Sequence, residues 1–260
     1  MALSKPDLAQ LKAAKTLLEN PGIAAKLSAI VGSPMEKGLK MLPKPMQAGV
    51  HKATQSALMK ALSLAVSSLG AKSAASPSRD RLHKLAAAAS GAAGGAFGIA
   101  ALAWELPFST TLMLRSIADI AAAEGHDPRH LETQLDCLTV FGLGAEGHPD
   151  DPSESTYFAT RTALASAVTE AARHLAKKGL AKGTAPALVR LVSLIGARFG
   201  VVVSEKAAAQ AIPIIGAAGG ALINTIFIGH YQEMARGHFI VRRLEKIHGT
   251  EPVRLAYESL

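Results

Sequence analysis

Apolar side chains recur along this chain at the three- and four-residue spacings of helix faces, and the two-residue alternation of a strand is nearly absent. Met113, Ile117 and Ile120 make one such face, and Leu131, Leu135 and Leu138 another. A longer stripe runs through Ile223, Phe227, Met234, Val241 and Leu244, with His230 and Gly237 on the same line. Val201-Val202-Val203 is the clearest β-branched run, and its context between Arg198 and Glu205 is compatible with a helix. Start signals punctuate the pattern. Ser33-Pro34-Met35-Glu36 and Asp151-Pro152-Ser153-Glu154 combine a cap, a proline and a carboxylate, and Asp127-Pro128 has the cap and proline alone. These patterns predict helices over 5–18, 35–70, 80–104, 109–124, 128–143, 152–178, 185–208 and 213–248. Gly70 to Asp80 is small and polar and reads as a linker, and Pro43 and Pro45 mark an earlier break. The division expected is a basic helical region over 1–79 and a helical domain over 80–260.

Composition sharpens that outline. Apolar residues are 49% of the chain but aromatics only 4%, so Ala and Gly supply much of the interior. The expectation is an all-α, single multi-helix bundle with two Ala/Gly-rich central helices and an internal pseudo-repeat. The one cysteine, Cys137, has no internal partner, which fits a reducing compartment; it reads as a buried structural thiol. Met1 to Asn20 carries Leu8, Leu11, Leu17 and Leu18 among Lys5, Lys12 and Lys15, an amphipathic helix start rather than a secretory signal. Charge is uneven. Residues 1–90 hold 13 basic and 4 acidic side chains, 91–160 hold 2 and 10, and 161–260 hold 13 and 6. Either the basic outer parts meet an anionic surface, or they pack against the acidic middle.

The repeat expectation rests on Gly91-Ala92-Ala93-Gly94-Gly95-Ala96, which recurs as Gly216-Ala217-Ala218-Gly219-Gly220-Ala221. Each copy leads into an arginine-bearing segment. Gly91 with Gly95, Gly94 with Gly98 and Gly216 with Gly220 are four apart, so close helix approach is open to them. Segments 85–104 and 207–229 have the length of a membrane span, yet their Ala and Gly are weakly apolar. Buried soluble helices, conditional membrane embedding and stable spans are the three readings, in that order.

Few residues suggest chemistry. Glu105 lies in Trp104-Glu105-Leu106-Pro107-Phe108, where a helix is expected to break and Ser109 or Thr110 to cap the next. It is either a raised-pKa acid or the partner of a helix terminus or arginine. Arg115 and Asp119 are four apart, an i,i+4 ion pair or part of an anion site. Arg236, His238, Arg242, Arg243 and Lys246 crowd the far half of the last long helix, favoured there by its dipole or turned to lipid phosphates. His126 and His130 have a metal-ligand spacing, but Asp127-Pro128 places His126 outside the helix, so no metal site and no cofactor are expected. No nucleophile elbow, Walker loop or dinucleotide fingerprint occurs.

The run Leu106-Pro107-Phe108-Ser109-Thr110-Thr111-Leu112-Met113-Leu114-Arg115-Ser116-Ile117-Ala118-Asp119-Ile120-Ala121, followed by Glu124-Gly125, resembles the EcsC family of bacterial proteins. The similarity continues in Leu138 to Gly144, Pro213 to Ala221 with Asn224, Ala235 to Phe239 and Arg242 to Glu245, and spans roughly 80–255. The family takes its name from a member encoded beside an ABC transporter. The resemblance therefore implies a bacterial, cytoplasmic-side protein linked to the membrane; it implies no reaction and assigns no catalytic residue.

Three functions are in play. The leading one is a non-enzymatic helical protein at the cytoplasmic face of the bacterial inner membrane, binding anionic lipid or a membrane transporter component. The second is a hydrolase or acid–base enzyme with Glu105, Arg115, Asp119 and Arg236 in one pocket. The third is a structural adaptor, a homo-oligomer joined through its Gly/Ala faces. Nucleic-acid binding is not expected, because the basic residues lack interleaved aromatics and no docking motif appears.

Overall fold

A computed structural model describes residues 3–19, 23–31, 44–68, 102–145, 156–180, 185–210 and 216–260. The described residues form α1 (Lys5–Leu18), α2 (Ile23–Val31), α3 (Lys44–Ser68), α4 (Leu102–Ala123), α5 (Leu131–Leu143), α6 (Thr156–Lys178), α7 (Pro186–Gln210), α8 (Gly216–His248) and α9 (Thr250–Ser259). No strand occurs among them, so the all-α expectation holds. The first glycine block, the segment 85–101, the linker and the starts at Ser33 and Asp151 lie outside the described residues.

Local chemistry explains most boundaries. Ser4 caps α1 by accepting from the Asp7 N–H at 3.3 Å, and Asp7 sits where the helix dipole favours an anion. The expected break at Pro107 does not occur, and Ser109 caps nothing. Helix α4 runs through Pro107, whose missing N–H removes one backbone bond, and the Ser109 hydroxyl donates to the Leu106 carbonyl at 3.2 Å. Leu106, Ser109 and Thr110 are buried on both sides of the proline, so packing holds the two halves in line. Asp127-Pro128 builds a turn ahead of α5 rather than its first residues. The Asp127 carboxylate accepts from the Arg129 N–H at 2.9 Å, and Gly125 supplies the positive φ that ends α4. Helices α2 and α9 were not expected.

Helix α8 is the centre, in contact with α1, α2, α4, α5, α7 and α9. Its predicted stripe is buried from Ile223 to Leu244. Helix α3 packs on α4, α5 and α7, and α6 lies antiparallel against α7. Four aromatics gather where α5, α7 and α8 meet. Phe141 and Phe199 have centroids 5.0 Å apart, and Tyr231 lies 5.5 Å from both Phe199 and Phe227. Each such ring contributes about 1.5–3 kcal/mol by leaving water.

Gly237 lets α1 lie directly on α8. A Cβ there would stand 2.7 Å from Leu18 Cγ and 3.0 Å from the Ala14 carbonyl oxygen. Gly200 on α7 faces open space, with nothing within 4 Å of an added Cβ. Gly237→Ala is therefore expected to lower stability in urea unfolding by about 1–3 kcal/mol. Gly200→Ala should raise it by about 0.5–1 kcal/mol through helix propensity. A stabilised Gly237→Ala would contradict the close approach of α1.

Candidate functional site: two buried charged clusters

Three helices each contribute polar groups three or four residues apart to one layer. Helix α8 presents His238, Arg242 and Glu245, α5 presents Glu132 and Asp136, and α6 presents Tyr157 and Arg161. The Arg242 Nε donates to Asp136 Oδ2 at 2.9 Å, and its terminal nitrogens donate to Glu132 at 2.6 Å and Glu245 at 3.2 Å. Arg161 grips Glu245 from α6 through two bonds of 2.7 and 3.0 Å, the bidentate geometry of a guanidinium on a carboxylate. Its NH1 also donates to the Tyr157 hydroxyl at 3.3 Å. That hydroxyl lies 3.0 Å from His238 Nδ1, and His238 Nε2 is 3.9 Å from Asp136 Oδ1. The chain of groups thus closes on itself, from Tyr157 through His238, Asp136, Arg242, Glu245 and Arg161 back to Tyr157.

Electrostatics fix the protonation states. Burial opposes charge on Asp136, but the His238 ring and the Arg242 guanidinium outweigh it and hold the carboxyl at about 2. Burial pushes His238 down despite Asp136, so the ring is neutral near pH 7. Burial also pushes the Tyr157 hydroxyl up, which keeps its proton available to His238 Nδ1. The neutral ring then carries hydrogen on Nε2, toward Asp136 but too far for a hydrogen bond. A Tyr–His–Asp line can pass a proton in principle. Here the groups are held between packed helices, and Tyr257 stacks on Tyr157 with centroids 5.8 Å apart.

The second cluster lies elsewhere. Glu105 on α4 accepts from Lys206 Nζ at 2.8 Å, with both side chains fully buried. Gln210 Nε2 donates to the other Glu105 oxygen at 3.3 Å, and Lys206 Nζ sits 4.7 Å from the centre of the Phe227 ring. Burial pushes the lysine down and Glu105 pulls it back up, without fully compensating. Phe227 and His238 are eleven positions apart on α8, about 16 Å at 1.5 Å per residue. The two clusters are therefore separate sites.

The expected residues divide between these places. Glu105 is the buried partner of Lys206, not of an arginine or a helix terminus. His238 and Arg242 belong to the first cluster. Arg243 reaches Glu124 at 3.0 Å and Gln10 at 3.0 Å. Arg115 is exposed, and Asp119 and Arg236 are half-buried on α4 and α8. The acidic middle of the sequence is where the C-terminal cations go, as Glu105–Lys206, Glu124–Arg243 and Asp136–Arg242 show. Sequence reasoning missed Asp136, Tyr157, Arg161 and Lys206. The spacing of four in Glu132/Asp136 and Tyr157/Arg161 was the available signal.

Two further histidines are buried and neutral. His126 donates from Nε2 to the Phe239 carbonyl at 3.0 Å and accepts from Lys246 at Nδ1, 3.1 Å away. Burial drives it down to about 4. His230 bonds the Gly144 carbonyl at 2.8 Å, and burial lowers it too. His130 is 75% exposed, so it does not pair with His126 around a metal, and no metal-ligand cluster occurs among the described residues. Cys137 is buried, and burial raises its thiol.

Two outcomes follow from this geometry. Lys206→Met strands the Glu105 carboxylate and is expected to cost about 3–5 kcal/mol in denaturant unfolding. Adding Glu105→Leu should recover most of that loss, and a neutral Lys206→Met would contradict the pair. Histidines with depressed pKa stay neutral in the fold but take up protons when unfolded below about 6.5. For His126 that stabilisation is thus full above that pH and lost toward pH 4, at about 1.4 kcal/mol per pH unit. A His126→Gln variant should show a shallower acid slope in urea titrations between pH 6.5 and 4; an unchanged slope would contradict its neutral burial.

The EcsC protein family matches residues 6–244. The match begins inside α1 and takes in α2 and α3, further toward the N terminus than the motifs quoted for the resemblance. No curated protein and no solved structure matches the chain. A match over nearly the whole length, on an all-helical bundle carrying those motifs, places this chain in the EcsC protein family.

Proposed function

We propose that this protein is a non-enzymatic helical protein of the cytoplasmic face of a bacterial membrane, held there by charge and binding anionic lipid or a membrane-protein partner. The observation that carries the reading is the excess of cations on the α6–α7 hairpin. Residues 156–210 hold eight basic and two acidic side chains; Lys206 and Arg161 are paired internally with Glu105 and Glu245, and Arg173, Lys177 and Lys178 are exposed on the last turns of α6. Glu105, Asp136 and Glu124 are engaged with Lys206, Arg242 and Arg243 and do not neutralise the hairpin's exposed cations. The same internal pairing argues against the enzyme reading, because Glu105, His238 and Arg242 are engaged with neighbouring side chains rather than arrayed around a reacting atom. Lipid contact thus moves from Arg242 and Arg243 to the hairpin.

Each cation near an anionic bilayer is worth about 1 kcal/mol, and 1 M salt shortens the screening length to about 3 Å. The protein is expected to sediment with phosphatidylglycerol vesicles at low salt, to be released at 1 M salt, and to ignore phosphatidylcholine. Neutralising Arg173, Lys177 and Lys178 to Gln should weaken that binding about 100-fold. Binding that is indifferent to lipid charge and salt would overturn the proposal.

A further inference from the structure

We infer that the outward face of α7 lies in the plane of the bilayer interface, its apolar side chains at the acyl boundary while Arg173, Lys177 and Lys178 meet lipid phosphates. The inference rests on the membrane reading above and names the surface that does the binding. At 100° per residue, Val189, Ser193, Ala197, Val201 and Leu194 fall within an arc about 140° wide. All five are exposed, with Val189, Leu194 and Val201 at 44, 38 and 47%. Arg190 is the one charged side chain within that arc, and it donates to Glu170 on α6 at 2.7 Å. That bond sets the register of the hairpin. Lys177 lies two turns beyond Glu170 on the same face of α6, past the N-terminal end of α7. Val189 to Val201 spans about 18 Å, a length that fits along a membrane surface.

The opposite face fixes the depth. Helix α7 is long and apolar enough to cross a bilayer, with a mean hydropathy of 1.8 over its most apolar 18 residues, yet its inner side is committed to the protein. Lys206 is held by Glu105, Arg198 donates to Thr160 at 2.9 Å, and Phe199 packs between Phe141 and Phe227. Crossing would break all three, whereas lying flat keeps them. A second copy of the chain fits this face poorly, since the exposed Arg173, Lys177 and Lys178 of two hairpins repel one another while an anionic lipid surface attracts both.

The experiment places an environment-sensitive fluorophore on Ala197→Cys and, separately, on Thr16→Cys of α1; the native Cys137 is buried and does not compete for label. With phosphatidylglycerol vesicles the label at 197 should shift to the blue and brighten several-fold, and the label at 16 should not change. The triple variant Val189→Ser, Leu194→Ser, Val201→Ser, altered only at exposed positions, should keep its thermal unfolding and bind vesicles about tenfold more weakly. An unresponsive 197 label on protein that still sediments with vesicles overturns this face and leaves the charge-driven function standing. Failure of the unmodified protein to sediment removes both. A blue shift at 197 without lipid, together with a dimer in light scattering, assigns the face to a second copy and overturns the inference.

Discussion

Arg161, Glu245, Arg242 and Asp136 alternate in sign across three helices, with no more than a fifth of any side chain open to solvent. Taking such ions out of water costs several kcal/mol each unless opposite charges and hydrogen bonds are supplied together. The packing of α5 and α6 against α8 has to satisfy that demand. Because Arg242 must meet Asp136 from one side and Glu245 must meet Arg161 from the other, the rotation of α8 about its axis is set. With that rotation set, Phe227 and Tyr231 face α7, Gly237 faces α1, and Gln232 reaches the Ser116 hydroxyl of α4 at 2.8 Å.

The long central helix therefore carries two kinds of information along one axis. Its first half is sorted by shape, through aromatic rings and the Lys206–Glu105 pair that they cover. Its second half is sorted by charge. The small aromatic content of the chain is used in groups, Phe141, Phe199, Phe227 and Tyr231 at one junction and Tyr157, Phe158 and Tyr257 at another. Elsewhere Ala and Gly allow backbones to approach, as α1 does over Gly237.

Much of this was legible in the sequence. The spacing of Ile223, Phe227, Met234, Val241 and Leu244 gave the buried face of α8, and the helix expected over 5–18 is α1. Pro107 was misread because a proline's local penalty can be overridden by burial on both sides, which no window of sequence contains. The partners of Glu105 and Arg242 were hidden for a related reason. Lys206 is 101 residues from Glu105 and Asp136 is 106 from Arg242, and only the fold relates such positions. The uneven charge along the chain did foretell that acidic and basic segments could meet. Which basic groups remained for the solvent depended on the pairing.

Arg173, Lys177 and Lys178 stand exposed at the end of α6 beside an apolar helix face, and the proposed peripheral, charge-driven membrane role is the account that uses both. The most direct measurement is the partition of the native protein from its own cells, with the membrane pellet washed first in high salt and then in carbonate. The account predicts a membrane-bound fraction released by salt. A protein wholly soluble at low salt, or one retained through carbonate, would contradict it.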